Sequence, residues 1–567
     1  MWVFRDGKQS VRSRELILEL QQSISTLGLA PSDSERKLDA LIRAGELEAA
    51  LADQAHPAAV ALAKLTEGIA ASLVISGESD HPAPSCISLD ALDFPETLLI
   101  STPEGFAYYA LHPMDFVRTT ARLAHPGKSY AVIGIRSIGT TLAAVVTAAL
   151  RKAGVQAERI TVRPVGHPYD RTTNFTAEQI HWVRQHNSHG AMFLVIDEGP
   201  GLSGSSFLSV GEALSKAGVQ ADHITFVGSR EPDVNALCTP NAANRWSRFH
   251  WMRVTASAFQ CFTGSTFVGG GAWRAVLLNE ESEWPASWTQ MERLKILSSD
   301  RKWLFKFEGF GRFGNRARER ALCLRQAGFG CDAQEAGDGL LRYPFLQARP
   351  LRAQDLSVPV LERIAAYCAF RAREFSLKNT PPQQLQDMVR ENLAKEFTSE
   401  VTAQIQPGDL TSHNPVLADG RMQPHEWLLH ADGKILKTDA ISHGDDHFFP
   451  GPTDIAWDLA GAVVEWEMDD QAADFLLTRF AHLTGDDPRP RFSAFLLAYT
   501  VFRMGYCKMA LSAEAGSHEE IRLRQHYQLY RERVQSHLAC RSQATPVAIG
   551  ESRRLAHVRH GDHLQSQ

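Results

Sequence analysis

The chain lacks the cysteine spacing of a disulfide scaffold or a structural zinc site. Its cysteines (Cys86, Cys238, Cys261, Cys323, Cys331, Cys368, Cys507 and Cys540) are scattered, with no Cys-x-x-Cys pair. That pattern fits reduced thiols in a cytoplasm. A secretory leader is also missing, because the first residues carry charges and no apolar core of the usual ~7–15 residues. No uncharged apolar run reaches the ~18 residues of a membrane span. Positive charge is not in excess: the net charge of −6 argues against a nucleic-acid or anionic-membrane surface. What is present is 567 residues, 44% hydrophobic and 22% charged, an ordinary globular composition. At roughly 150 residues per domain this gives three or four domains. The expectation is a cytoplasmic multidomain protein with neither nucleic-acid nor membrane partners.

Residues 10–75 read as helix, with apolar positions spaced by three and four at Leu16 and Leu20, Leu38, Leu41 and Ile42, and Leu47 and Leu51. A turn-rich stretch with Gly77, Pro82 and Pro84 follows. This first region, 1–95, carries no readable chemistry. It is expected to serve packing or dimerisation, which leaves a homodimer open. Between 130 and 230, strand patterns (Tyr130–Ile135, Ile160–Val165, Met192–Ile196, Ile224–Val227) alternate with helical ones. That alternation predicts an α/β unit with a covered parallel sheet, over 96–284. Ligands of such sheets bind at the carboxyl ends of strands. Residues 285–545 have longer helical patterns and more Arg and Trp, and 546–567 read as a flexible tail.

One strand, Phe193–Ile196, delivers Asp197 and Glu198 into a loop, Gly199-Pro200-Gly201-Leu202-Ser203-Gly204-Ser205-Ser206, before a helix. Free amides at a helix start can cradle a phosphate, and adjacent carboxylates can accept hydrogen bonds from a ribose diol. Upstream, Val132–Ile135 runs into Arg136-Ser137-Ile138-Gly139-Thr140-Thr141, a second strand, small-residue loop and helix. The pair of loops, in this order, resembles the type I phosphoribosyltransferases. The resemblance implies phosphoribosyl pyrophosphate (PRPP) binding with Mg²⁺ and transfer of phosphoribose to a small-molecule acceptor. It gives Asp197 and Glu198 to the ribose hydroxyls, Ser203, Gly204, Ser205 and Ser206 to the 5′-phosphate, and Arg136, Ser137, Ile138, Gly139 and Thr140 to the pyrophosphate. The catalytic set it implies is Asp197, Glu198 and Arg136. The loop at Gly199–Gly201 is one residue longer than the family pattern. The segment Arg163–Asn174 is either a mobile catalytic loop or an ordinary surface connection.

In the last region, Trp303-Leu-Phe-Lys306-Phe-Glu308-Gly309 precedes a charged helix containing Glu319. Gly309, Gly311 and Gly314 match G-x-G-x-x-G, but no acid follows on a second strand to support a dinucleotide site. A strand lysine, a following helix with an acid and the segment Pro452-Thr-Asp454-Ile-Ala-Trp-Asp458 together resemble aminoglycoside-phosphotransferase-like kinases. That implies a two-lobed α+β unit with ATP as its cofactor, and nucleotide contacts at Lys306 and Glu319. Two registers of its catalytic loop stay open. One takes Asp409 and Asn414; the other puts Arg421 and Glu426 in those places and ends a hairpin at a metal-binding Asp439. The second register implies a pseudokinase or altered chemistry. His443-Gly-Asp445-Asp446-His447 reads as either metal ligands or a solvated acidic turn, and Lys306 equally as an edge-strand charge.

Overall fold

The computed structural model describes residues 1–4, 7–27, 33–75, 89–259, 262, 264–378, 384–397, 410–412, 415–448 and 451–544. The helical first region resolves into Ser13–Ser25, Asp33–Asp53 and Ala58–Ile75. The strand Lys8–Arg12 precedes them and pairs antiparallel with Thr97–Ser101. Ala58–Ile75 is long and apolar enough to cross a membrane by length and composition alone. Here its Leu62, Leu65, Ile69 and Leu73 are buried in the same core as Leu142 and Val146 of helix Ile138–Lys152. The packing reading of this region therefore holds within one chain.

The alternating segment forms a five-stranded, all-parallel sheet. Its order is Gln156–Val162, Ser129–Ile135, Met192–Ile196, Ile224–Gly228 and His250–Arg253. Strand Ser129–Ile135 is buried along almost its whole length, as expected when both faces are covered. One face carries Val132, Leu194 and Ile196 into the core shared with the amino-terminal helices. The other carries Ile133, Phe193 and Val195 against Phe207 and Phe226. Chain order along the sheet reverses between Ser129–Ile135 and Met192–Ile196, which makes that junction the topological switch point. A bidentate ion pair of Arg159 with Glu48 (2.8 and 2.9 Å), both nearly inaccessible, locks the outer strand to helix Asp33–Asp53.

A second sheet, antiparallel throughout, has the order Thr266–Phe267, Lys295–Leu297, Trp303–Phe307, Leu340–Pro344 and Gln334–Gly337. Helix Arg312–Gln326 connects its third strand to its edge. Residues 340–350 form two strands, Leu340–Pro344 and Ala348–Pro350, the second pairing with the hairpin strand Trp427–His430. Below lie helices Val358–Glu374, Ala456–Glu465, Asp470–Thr484, Arg489–Ala513 and His518–Ala544, around a core with Trp427, Trp457 and Tyr499. Phe307, Phe310 and Leu340 of the antiparallel sheet share the core of the amino-terminal helices. Val3 is buried among the carboxy-terminal helices. The units are thus packed into one another rather than strung on linkers. The tail at 546–567 lies outside the described residues.

Candidate functional site

At the switch point, the turn after Ser129–Ile135 and the turn after Met192–Ile196 lie side by side. A Cβ on Gly139 would fall 2.5 Å from the Ile196 carbonyl oxygen, and one on Gly134 would meet the Gly139 carbonyl at 2.4 Å. Only glycine lets the two loops approach this closely. Ser137, at φ 96°, adopts a backbone conformation that costs about 1–3 kcal/mol and persists only where the surroundings impose it. The Thr140 hydroxyl on the following helix is buried without a hydrogen-bond partner among the described residues.

Asp197 and Glu198 are half-buried beside Glu104. Burial pushes Asp197 up to about 7, with the neighbouring Glu198 charge adding to it and Arg163 and Arg171 opposing. Burial also raises Glu198, against Arg230 and the Gly105 amide. Burial, then Glu198 and Asp446, lift Glu104 to about 7. Glu104 and Arg230 went unnoticed in sequence, whereas Arg171 lies in the segment Arg163–Asn174 already singled out. For Arg230 the signal was available, because it follows the carboxyl end of the parallel strand Ile224–Gly228.

Two sets of the predicted side chains are engaged elsewhere in this structure. Arg136 does not offer its guanidinium to the crevice. It bonds the Ala52 carbonyl (3.0 Å), Asp53 (3.1 Å) and Thr161, so it fastens the end of helix Asp33–Asp53 to the sheet. The hydroxyls of Ser203 and Ser205 donate to the Pro168 carbonyl at 2.9 and 2.7 Å. Pro168 sits at the tip of an antiparallel hairpin, Val165–His167 with Asp170–Thr172, where either a mobile loop or a plain connection was expected. That hairpin covers the loop at Ser203–Ser206. Gly204, at φ 69°, caps helix Ser205–Lys216, so Ser206 lies in its first turn.

The second site is a cavity of about 390 Å³ between the antiparallel sheet and the carboxy-terminal helices. Lys306 bonds Asp439 across it, and Lys295 approaches the other oxygen of Asp439 at 3.5 Å. His443 lies 3.0 Å from that same oxygen. Lys295, Lys306 and His443 thus hold the Asp439 carboxyl well below the usual range despite its burial. The acid paired with Lys306 is Glu308, just past the end of its strand, at 3.2 Å; Glu319 is exposed to solvent. The nucleotide role given to Glu319 is therefore not met. The edge-strand reading of Lys306 fails too, since it is 4% exposed in a central strand.

The loop between strands Pro415–Leu417 and Trp427–His430 carries the residues of the second register. Asp458 accepts the amide hydrogens of Asp419 (2.8 Å) and Gly420 (3.0 Å), which clamps the loop entrance just before Arg421. Glu426 ends the loop, buried, and accepts the Thr438 hydroxyl at 3.2 Å. Burial raises its carboxyl, against Lys437. Asp409 and Asn414, the other register, lie outside the described residues.

A magnesium ion is usually held by one or two carboxylates together with substrate phosphates. Among the described residues no group of three or more His, Cys, Asp or Glu could hold a metal by itself, and Asp439, the residue given the metal role, is paired with two lysines. His443 and Asp446 pair with each other at 3.4 Å, and the His447 ring stacks on Phe4. They form a packed turn rather than a solvated one or a metal site.

No family model matches the chain, and no curated protein matches it. Solved structures do. The choline kinase LicA from Streptococcus pneumoniae aligns over 44% of this chain and 89% of its own, at 12% identity and a TM-score of 0.31. A Plasmodium vivax ethanolamine kinase covers 43% and 81%, at 10% identity and a TM-score of 0.31. A wild-type aminoglycoside 2′-phosphotransferase in its GDP complex covers 44% and 89%, at 12% and 0.30. These are kinase-like folds matching less than half of the chain. The phosphoribosyltransferase reading of the parallel sheet rests on its own geometry alone.

Proposed function

We propose that the protein is a transferase with two phosphate-ligand sites. The crevice at the switch point takes PRPP and passes its phosphoribosyl group to a small-molecule acceptor, and the kinase-like cleft binds a nucleotide. One observation carries the first part: the Ser137–Thr140 turn and the Asp197–Glu198 turn are held against each other by Gly139 at the place where open α/β sheets bind ligands. In this reading the two carboxylates accept hydrogen bonds from the ribose 2′- and 3′-hydroxyls. The amides of the strained turn at Ser137 face the pyrophosphate. The start of helix Ser205–Lys216 takes the 5′-phosphate once the Val165–Thr172 hairpin releases Ser203 and Ser205. Nucleophilic displacement at ribose C1 then forms the new bond as pyrophosphate leaves. Orientation and water exclusion under the hairpin supply the rate.

In the cleft, Lys306, Glu308 and Tyr343 offer the contacts for a nucleotide. On the second register of the loop, Arg421 stands where the resembled kinases carry an acidic base. This supports nucleotide binding without phosphoryl transfer. The test of the transferase reading is calorimetric titration with PRPP in the presence of Mg²⁺, comparing the native protein with the paired variant Asp197→Ala/Glu198→Ala. Binding should disappear in the variant. Equal affinity for both proteins would remove the crevice from consideration, and absence of Mg·ATP binding by the native protein would remove the nucleotide.

A further inference from the structure

The charged groups lining the cleft cavity are matched with one exception. Asp439 meets Lys306, Lys295 and His443. Glu465 accepts from Tyr499 and Tyr530 and pairs with Arg503. Glu292 accepts from the Gly271 amide, Trp273 and Ser287, and Lys437 meets Asp419 and the Thr438 carbonyl. Arg533 bonds the Val464 carbonyl and Glu467. Arg421 is the exception: half-buried in the cavity wall, its guanidinium makes no hydrogen bond and no ion pair among the described residues. Tyr506, Glu426 and Asp439, beyond ion-pair distance, favour its charged form against burial, but its N–H donors stay unmet inside the cavity. Beside it, Gln423 is 6% exposed and its buried Oε1 accepts no hydrogen bond. On the sheet side, Glu308 is 2% exposed, and its Oε2 accepts no hydrogen bond and meets only Arg293, at 3.9 Å. His425, between Arg421 and Glu426, cannot take the anion's part. Burial and the Arg421 charge hold its ring neutral, at about 3, stacked on Trp273.

We propose that Arg421 anchors an anion subsite, so that this cavity binds a small molecule bearing a carboxylate or phosphate and a hydrogen-bond donor that meets Gln423 Oε1. The inference deepens the nucleotide-cleft reading by naming the chemistry of what lies on the helical side of the cavity. It rests on that cavity being a ligand site. The planar fork of an arginine suits either anion, bidentately. An arginine cannot act as a general base near neutral pH. The subsite therefore orients an anion and removes no proton.

The test uses the whole chain and two probes, inorganic phosphate and succinate, read as the rise in Tm with probe concentration. It compares the native protein with Arg421→Gln and Asp197→Ala/Glu198→Ala. A concentration-dependent rise with at least one probe is expected in the native protein. It should also appear in the Asp197/Glu198 variant, and be weakened about tenfold or more in apparent affinity by Arg421→Gln. Which probe acts identifies the anion. A rise kept intact in Arg421→Gln, or no rise with either probe, would each overturn the proposal. Failure of Mg·ATP to bind, with the phosphate or succinate rise still dependent on Arg421, would sink the nucleotide reading alone.

Discussion

The carboxylate of Asp458 accepts the backbone N–H of Asp419 at 2.8 Å. Both residues are fully buried, and Arg371 lies 3.7 Å from Asp458 and 4.0 Å from Asp419. A helix start is thereby tied to the entrance of the loop that carries Arg421 and Glu426. Removing the acceptor leaves two amides and a buried guanidinium short of partners. Asp458→Ala is expected to lose about 3–5 kcal/mol in denaturant unfolding. Asp458→Asn, which keeps an acceptor, should lose less. A loss below about 1 kcal/mol in the alanine variant would show that the loop is positioned by something else.

Gly139 is the contact between the two turns of the crevice. Gly139→Ala puts a methyl 2.5 Å from the Ile196 carbonyl, so the turns must part. The expected outcome is a stability loss of about 1–3 kcal/mol with PRPP affinity falling well beyond what the fraction unfolded explains. Retained affinity in the folded variant would argue that the turns act independently.

Asp39 joins the amino-terminal helices to the antiparallel sheet. One of its oxygens accepts the Arg312 amide at 3.1 Å, at the start of helix Arg312–Gln326, and the other accepts from Arg43 and Ser23. Asp39→Ala should cost about 1–2 kcal/mol, as loss of a helix cap does. Gly311→Ala should be worse than an ordinary surface change, since its Cβ would strike Asp39 Oδ1 at a φ of 53°. Paired chemical denaturation curves check both.

Asp197 and Glu104 set a pH dependence. Their folded-state values, about 7, lie above the ordinary carboxyl range, so the folded chain holds protons that the unfolded chain has released. From these two groups stability falls as pH rises from about 4 to about 7, and is level above that. Asp197→Asn should flatten this slope. An unchanged slope across pH 4–8 would show that neither burial nor Glu198 raises Asp197 in solution.

The α/β alternation, the two small-residue turns after buried strands and the lysine strand were legible because periodicity and turn chemistry are local properties. So was the adjacency of Asp197 and Glu198, which needs no fold to establish. The Glu104 contribution was not legible. It is brought to Glu198 through the loop at Gly105, from a strand that pairs with the amino terminus.

What the sequence by itself determined is which segments become strand, turn and helix, and which turns carry chemistry. Burial pattern and glycine placement act within a few residues. The tertiary structure alone decided where the charges spend themselves. Arg136 lies in the turn expected to meet pyrophosphate, yet Ala52 and Asp53 reach it from a distant helix and hold it. Lys306 takes Glu308 and Asp439 in place of Glu319, because helix Arg312–Gln326 turns Ala317, Ala321 and Leu324 inward and leaves Glu319 in solvent. Asp458 holds the entrance of the loop that leaves Arg421 in the cavity wall. Long charged side chains pair with whatever the fold brings within a few ångströms, and a linear pattern does not encode that distance.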